Sequence, residues 1–321
     1  MSTAGLDIFC TAGEIMLVDW LYERPICTGL GDRLGTIIAL SALASLHNSS
    51  YVVHMEWCTD PMLVTRQNPL YLRYIPRWTG YDFPVETLHR TMTLPGNIRL
   101  YATGSGPDRT AVGIVRESGP LPIWQGIMHT STLYCHAITL GTSVGDWTTR
   151  QCETAYRKAG NQVHPIPQQT EDKPFVLVHF RSADDNTYII GRDERSFCTP
   201  AVLRELHAAG VYMKVISNNH SFSMQWLRGL PSIQLVHSRS AFQDMALALS
   251  AVAIVQHASE GWSSYTSVPA MAHGIPLINT FTGRDHRFDM FTSHGDLPRE
   301  FYSCQRTDAF VREAVRAGTL V

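Results

Sequence analysis

The chain has 321 residues, of which 44% are apolar and 17% charged, and its formal net charge is −2. That length exceeds what one domain usually holds, so two domains are expected, each able to bury an ordinary core. A near-neutral balance without a long basic stretch excludes nucleic acid as the main partner, because binding a phosphate backbone needs clustered Lys and Arg; it leaves room for one anionic ligand held by one or two cations.

In chain order, Met1 to Trp20 is mildly apolar but carries Asp7, Glu14 and Asp19, with no cationic start and no clean apolar run, so it reads as a poor secretion signal. No stretch of about 18 apolar residues occurs anywhere, and no membrane-spanning helix is expected. A cytoplasmic protein fits, as does a soluble catalytic domain whose anchor lies outside this chain.

The first strong unit is Arg24 to Glu56. Pro25 to Thr28 lead into a turn, Gly29-Leu30-Gly31-Asp32. A helix is then expected from Arg33 to Leu46, with Leu34, Ile37, Ile38, Ala42 and Leu46 at helical spacing. Leu40 and Leu43 make it apolar on most of its circumference, the pattern of a buried helix. His47 to Ser50 end it, and Tyr51 to Met55 read as a buried strand, completing a βαβ unit. From Thr59 to about Asp172, frequent prolines and glycines leave only short elements, with strands expected near Asn97 to Ala102 and Ala111 to Val115; Ser131 to Thr139 fits either type. Val163 to Pro174 has the composition of a linker, so the domains are expected at residues 1–170 and 171–321.

The second half is clearer. Strands are expected at Phe175 to Phe180, Val211 to Ser217, Ile233 to Val236, Ala251 to Gln256 and Pro276 to Ile278. Helices are expected between them: from Thr199 (as N-cap, with Pro200 in the first turn) to Ala209, Ser221 to Arg228, after the capping box Ser240 to Gln243, and Ser263 to His273. Arg306 to Ala317 reads as a last amphipathic helix. Short alternation of strands and helices implies a parallel, doubly wound sheet. The expected fold is therefore α/β, with two Rossmann-like domains facing across a cleft, a GT-B-like arrangement that other proteins also use.

Ligands of parallel sheets bind beyond the carboxyl ends of the strands, which selects four loops. In Gly29 to Arg33, glycines let the backbone approach a ligand, and a helix amino terminus favours negative charge. The segment lacks the GxxxxGK[ST] phosphate loop and the full dinucleotide fingerprint, and a tight turn explains it as well. In the second loop Arg181 falls at a strand end, where a guanidinium can grip a diphosphate, with His179 on the same face of the strand. Asp184 and Asp185 suit a metal site less well beside that arginine, or pair with it as surface ions. Asn218, after Ile216, could read a base or ribose, or simply make an Asx turn. The fourth loop ends in Ser263, Ser264 and Tyr265, whose hydroxyls and backbone N–H groups make an anion seat. Pro269 denies the Tyr265 carbonyl its usual helical donor, so the helix could begin as late as Ser267. Retaining GT-B enzymes often carry two glutamates eight apart here; Glu260 is present, but the second position is Val268, which favours inversion.

Taken together, Gly29-Leu30-Gly31-Asp32-Arg33-Leu34, Val178-His179-Phe180-Arg181 and Ser263-Ser264 occur in the order seen in the fucosyltransferase superfamily, which the chain resembles. That group includes core, nodulation-factor and protein O-fucosyltransferases, inverting and metal-independent GT-B enzymes that use GDP-fucose. The resemblance implies that Arg181 holds the donor diphosphate with His179 beside it. It implies that Ser263 and Ser264 contact phosphate and that Gly29 to Arg33 close over the site. Ser182 stands where core fucosyltransferases tend to have a second arginine. The expected partners are a nucleotide sugar and a glycan acceptor, with no cofactor and no metal. An inverting transfer also needs a base for the acceptor hydroxyl, for which Asp32 and Glu56 are the candidates. A non-catalytic nucleotide-sugar or glycan binder and a nucleotide-sugar epimerase remain open from the sequence.

Seven cysteines are scattered without CxxC pairs and read as free thiols of a reducing compartment; no zinc spacing is present.

Overall fold

In a computed structural model of the chain, the residues described are 14–19, 30–46, 48, 50–55, 85–102, 149–166, 173–181, 197–217, 223–224, 226–230, 233–237, 241–258, 263–282, 301–302 and 314. Two compact units form, one of Met1–Leu63 with Gly80–Ile166, the other of Val64–Thr79 with Pro167–Val321. Among the described residues no helix is long and apolar enough to cross a membrane.

The first unit holds β1 (Glu14–Asp19), α1 (Leu30–Leu46), β2 (Ser50–Met55), α2 (Val85–Thr91), β3 (Met92–Thr93), β4 (Ile98–Ala102), α3 (Thr149–Gly160) and β5 (His164–Pro165). β1, β2 and β4 lie side by side in that order and pair in parallel, while β3 and β5 form a small antiparallel pair. The strand that opens the βαβ unit is thus β1, in a stretch whose letters suggest only a mildly apolar leader.

α1 also departs from expectation. It begins at Leu30, so Gly31, Asp32 and Arg33 form its first turn instead of a turn ahead of it. The first turn of a helix lacks intrahelical acceptors for its N–H groups anyway, so a glycine there costs little. The expected burial is present: Leu34, Ile37, Ile38 and Ala42 are all essentially inaccessible. Asn48 ends the helix in the left-handed region, at φ 52°, with its N–H on the Ser45 carbonyl. α3, which packs against α1, was not expected from the sequence, although Ala155, Tyr156 and Ala159 are buried on it and Cys152 completes their helical spacing.

Asn97, in the turn before β4, fastens that turn to α1. Its amide nitrogen donates to the Ser41 carbonyl at 2.8 Å and to Ser45 Oγ at 3.0 Å, and its amide oxygen accepts from Ser41 Oγ at 2.6 Å.

The second unit holds β6 (Val176–Arg181), α4 (Thr199–Ala208), β7 (Met213–Ser217), β8 (Ile233–Leu235), α5 (Ala241–Ser250), β9 (Ala253–Ala258), α6 (Ser264–His273), β10 (Leu277–Asn279) and β11 (Phe301–Tyr302). Its six strands lie in the order β11-β10-β9-β6-β7-β8, every pair parallel. Counted along the chain this is the Rossmann order 3-2-1-4-5-6, read from the β8 end. The near-continuous apolar runs of β6 and β9 suit strands covered on both faces. One face carries Val176, Val178, Phe180, Met213, Val215, Ala253 and Val255, packed with Val202, Leu203 and Leu206 of α4. α4 ends at Gly210, whose φ of +75° only glycine adopts cheaply.

Several boundaries move. β9 runs two residues past its expected end, so His257 and Ala258 belong to the strand and not to the loop after it. Thr199 does not cap α4. The N-cap is Cys198, and the Thr199 hydroxyl is turned into the core to bond His257 and Thr280. α6 starts at Ser264, not near Ser267, in spite of Pro269; its first turn closes on the Ser263 carbonyl, which accepts from the backbone N–H of Thr266 and Ser267. Cys198 is disulfide-bonded, which corrects the expectation of free thiols. The expected strand at Ala111 to Val115, the segment Ser131 to Thr139 and, apart from helical Ala314, the last helix lie outside the described residues.

His257 is buried among aromatic rings, with Phe197 stacked at 4.0 Å, Trp226 at 4.4 Å and Phe180 at 5.1 Å between centroids. Thr199 gives its one hydroxyl proton to Thr280, and Thr280 donates to the Gln256 carbonyl, so His257 Nδ1 is the donor in its 2.7 Å bond to Thr199. Burial pushes the His257 pKa down to about 3.

Two outcomes are expected. Replacing Asn97 with Ala should destabilise the first unit by about 1–3 kcal/mol in urea unfolding, because it strips partners from the buried Ser41; an unchanged midpoint would show that the clamp is idle. Between pH 6.5 and about 3, unfolding lets His257 take up a proton that the folded state excludes, so stability falls as the pH drops through that window. Urea titrations at several pH values should therefore give a slope for the parent steeper than for His257→Leu by up to about 1.4 kcal/mol per pH unit. Equal slopes would mean that the folded protein admits the charge.

Candidate functional site

In the six-stranded sheet the strand order reverses between β6 and β9, where the chain lays β7 and β8 on one side of β6 and later β9 on the other. Connections leaving the carboxyl ends of β6 and β9 diverge at such a switch point and open a crevice for a ligand. Arg181 is the last residue of β6, half-buried, opposite Ala258, the last residue of β9. A few residues further along the chain, Ser263 and Ser264 open α6, a ten-residue helix, and both are half-buried. A strand-end guanidinium and a serine-rich helix amino terminus thus belong to the two strands that border the reversal. Both attract anions, the first by charge and paired donors, the second by its unsatisfied N–H groups and dipole.

His179 lies two residues before Arg181 on the same face of β6 and is 4% exposed. Its Nδ1 is 2.9 Å from Thr266 Oγ1 on α6, and its ring is 5.6 Å from that of Tyr265. Burial first, then the Arg181 cation and His257, hold its pKa down to about 3, so the ring is neutral at physiological pH. A neutral imidazole is thus packed under α6 and adds no positive charge beside Arg181.

Gln256, fully buried in β9 opposite His179, ties the start of α6 to the sheet. Its Nε2 donates to the Ser263 carbonyl at 2.8 Å and to Thr266 Oγ1 at 2.7 Å, while its Oε1 accepts from the Ser263 N–H at 3.0 Å. Ser263 is extended, with φ −137° and ψ 116°, and its side chain makes no cap hydrogen bond. Tyr265 donates its hydroxyl proton to the Ala241 carbonyl at the start of α5, which anchors α6 to its neighbour.

Of the residues singled out by sequence, His179, Arg181, Ser263, Ser264 and Tyr265 come together at the switch point. Gly31, Asp32 and Arg33 occupy the first turn of α1 in the first unit. Gly29, Glu56, Asp184 and Asn218 lie outside the described residues. Gln256 and Thr266 were not anticipated. The signal for Gln256 was present in the letters of β9: a primary amide inside an otherwise buried strand must find partners for two donors and an acceptor. Among the described residues no group of three His, Cys, Asp or Glu is placed to hold a metal ion.

No protein-family profile and no curated protein matches the chain. Among solved structures it is similar to the E. coli heptosyltransferase WaaC with ADP, at 11% identity and a TM-score of 0.47 over 94% of this chain and 99% of that one. It is also similar to the fucosyltransferase NodZ from Bradyrhizobium, at 12% identity and a TM-score of 0.40 over 81% of this chain and 93% of that one.

Proposed function

We propose that the chain is an inverting, metal-independent glycosyltransferase of the GT-B type that seats the diphosphate of a nucleotide sugar at the β6–β9 switch point and transfers the sugar to a glycan hydroxyl. The observation that carries this reading is the placement of Arg181 at the end of β6 and of Ser263 and Ser264 at the start of α6, the helix that follows β9, where β6 and β9 flank the reversal of the Rossmann order. Arg181 would donate two parallel hydrogen bonds to the diphosphate, and the α6 amino terminus would cover its remaining oxygens. Both interactions strengthen as negative charge builds on the leaving group, which is what lowers the barrier to breaking the sugar–phosphate bond.

Inversion is supported by Val268, which fills the position where a retaining enzyme's second glutamate would stand and is buried inside α6. The acceptor hydroxyl then needs a base, for which Asp32 and Glu56 are the candidates, with Gly29, Gly31 and Arg33 proposed as donor contacts. Asn218 is proposed to read the donor's base or ribose, and Asp184 is proposed as a further donor contact. Fucose from GDP-fucose is the favoured donor, on the order of the three motifs alone. The disulfide at Cys198 weighs towards an oxidising compartment and against the cytosol, since thiol buffers keep cytosolic cysteines reduced.

Incubation with a panel of labelled nucleotide sugars should give slow donor hydrolysis without added metal, fastest with GDP-fucose, and transfer products of inverted anomeric configuration. Retained configuration would overturn the mechanism, and isomerised sugar would point to an epimerase. In calorimetric titrations Arg181→Ala should weaken nucleoside-diphosphate binding more than tenfold, on the order of 1.5–3 kcal/mol. Arg181→Lys should recover only part of that loss, since an ammonium keeps the charge without the planar fork. Unchanged affinity in Arg181→Ala would take Arg181 out of the site.

A further inference from the structure

A buried primary amide loses free energy unless its donors and acceptor are matched. Gln256 matches all of them on one turn of chain, the entry to α6. Its amide lies along the Ser263 peptide as a neighbouring strand would, receiving the N–H and donating to the carbonyl. Its second N–H goes to Thr266 Oγ1, which also bonds His179 on β6. A serine at a helix N-cap ordinarily spends its hydroxyl on an N–H of the first turn. Ser263 does not; its backbone is fixed from outside the helix, by Gln256, and by Ser267 Oγ, which donates to the same carbonyl at 2.8 Å.

We infer that Gln256 is a positioning residue for the diphosphate seat. Its side-chain amide fixes the Ser263 backbone in place of a side-chain cap, and the Ser263 hydroxyl, which makes no cap bond, is left for the anion. Through Thr266 and His179 it also registers that turn against β6, the strand that ends in Arg181. The inference rests on the switch point being a nucleoside-diphosphate seat, as proposed above.

The test uses calorimetric titration of the full chain with GDP, UDP and ADP, at a temperature well below every variant's unfolding midpoint. The parent is expected to bind at least one of the three. Gln256→Met, close in length but unable to bond Ser263, is expected to keep its fold by circular dichroism and to bind that nucleotide more than tenfold more weakly. Gln256→Glu supplies a readout that general packing would not move. When protonated its carboxyl keeps one donor and one acceptor of the amide; when ionised it keeps no donor and sets a negative charge against the Ser263 carbonyl. The ratio of its affinity to the parent's is therefore expected to rise about tenfold or more from about pH 8 to about pH 5.5, since burial raises a carboxyl's pKa into that range.

If the parent binds none of the three nucleotides, the diphosphate reading falls, and this inference with it. If the parent binds and a folded Gln256→Met binds within threefold of it, the positioning role alone is overturned. Should Gln256→Met fail to fold, a pH-independent ratio for Gln256→Glu overturns it in the same way.

Discussion

Parallel strands cannot be joined by a tight turn, so successive strands of the second unit must be linked by crossovers that return the chain to the end of the sheet where the strands begin. The chain leaves β6 in one direction for β7 and β8, then comes back to lay β9 on β6's other side. That single reversal makes β6 and β9 the central strands and sets the switch point between them, the place where sheets of this kind bind ligands. It also covers both faces of both strands, and every residue of β9 is buried. The same constraint that makes room for a ligand therefore forbids an unmatched polar group in the strands beneath it.

Three buried polar side chains nevertheless sit in those strands, and alternation sorts them onto opposite faces. His257 points to the α4 face, where aromatic rings and the Thr199–Thr280 hydroxyl relay receive it. His179 and Gln256, register partners across the β6–β9 pair, meet Thr266 on the α6 face. Both imidazoles are held neutral by burial. In His179 the Arg181 cation adds to that effect, because a second positive charge beside the first would be repelled in a region of low polarisability. The cation at the carboxyl ends of β6 and β9 is thus Arg181, with the histidines as uncharged supports.

Much of the second unit was legible because its signals are local. The apolar runs of β6 and β7, Pro200 in the first turn of α4 and Gly210 at its end report on their own backbone, and each was placed to within two residues. What escaped depended on contacts distant in sequence. Thr199 looks like a cap until His257 and Thr280 claim its hydroxyl. Pro269 argues for a late start to α6 until the Ser263 carbonyl closes the first turn from ahead of it. In the first unit, β1 becomes a strand through its parallel pairing with β2, and the stripe of α3, at Cys152, Ala155, Tyr156 and Ala159, has helical spacing but only one large side chain. No feature of cysteine spacing announced the disulfide at Cys198. At the site, Arg181 and the serine pair could be read as strand-end and helix-start residues, whereas Thr266, on the buried side of α6, carries no signal without the fold.

A helix amino terminus that is to serve an anion faces a conflict. Its first N–H groups are the attraction, and the commonest way to stabilise the turn is to satisfy one of them with the N-cap side chain. Stabilising the end in that manner spends both the N–H and the hydroxyl that a phosphate would use. At α6 the conflict is resolved by bonding the N-cap residue's own backbone instead, from Gln256 in the sheet below and from Ser267 one turn ahead. The cost is carried inside the strand, where an amide must be buried and fully matched. It is offset there by three hydrogen bonds, each contributing about 0.5–1.5 kcal/mol. Rigidity of the turn and reactivity of its exposed groups are therefore supplied by different residues, and a substitution such as Ser263→Ala can alter the seat without loosening the helix that presents it.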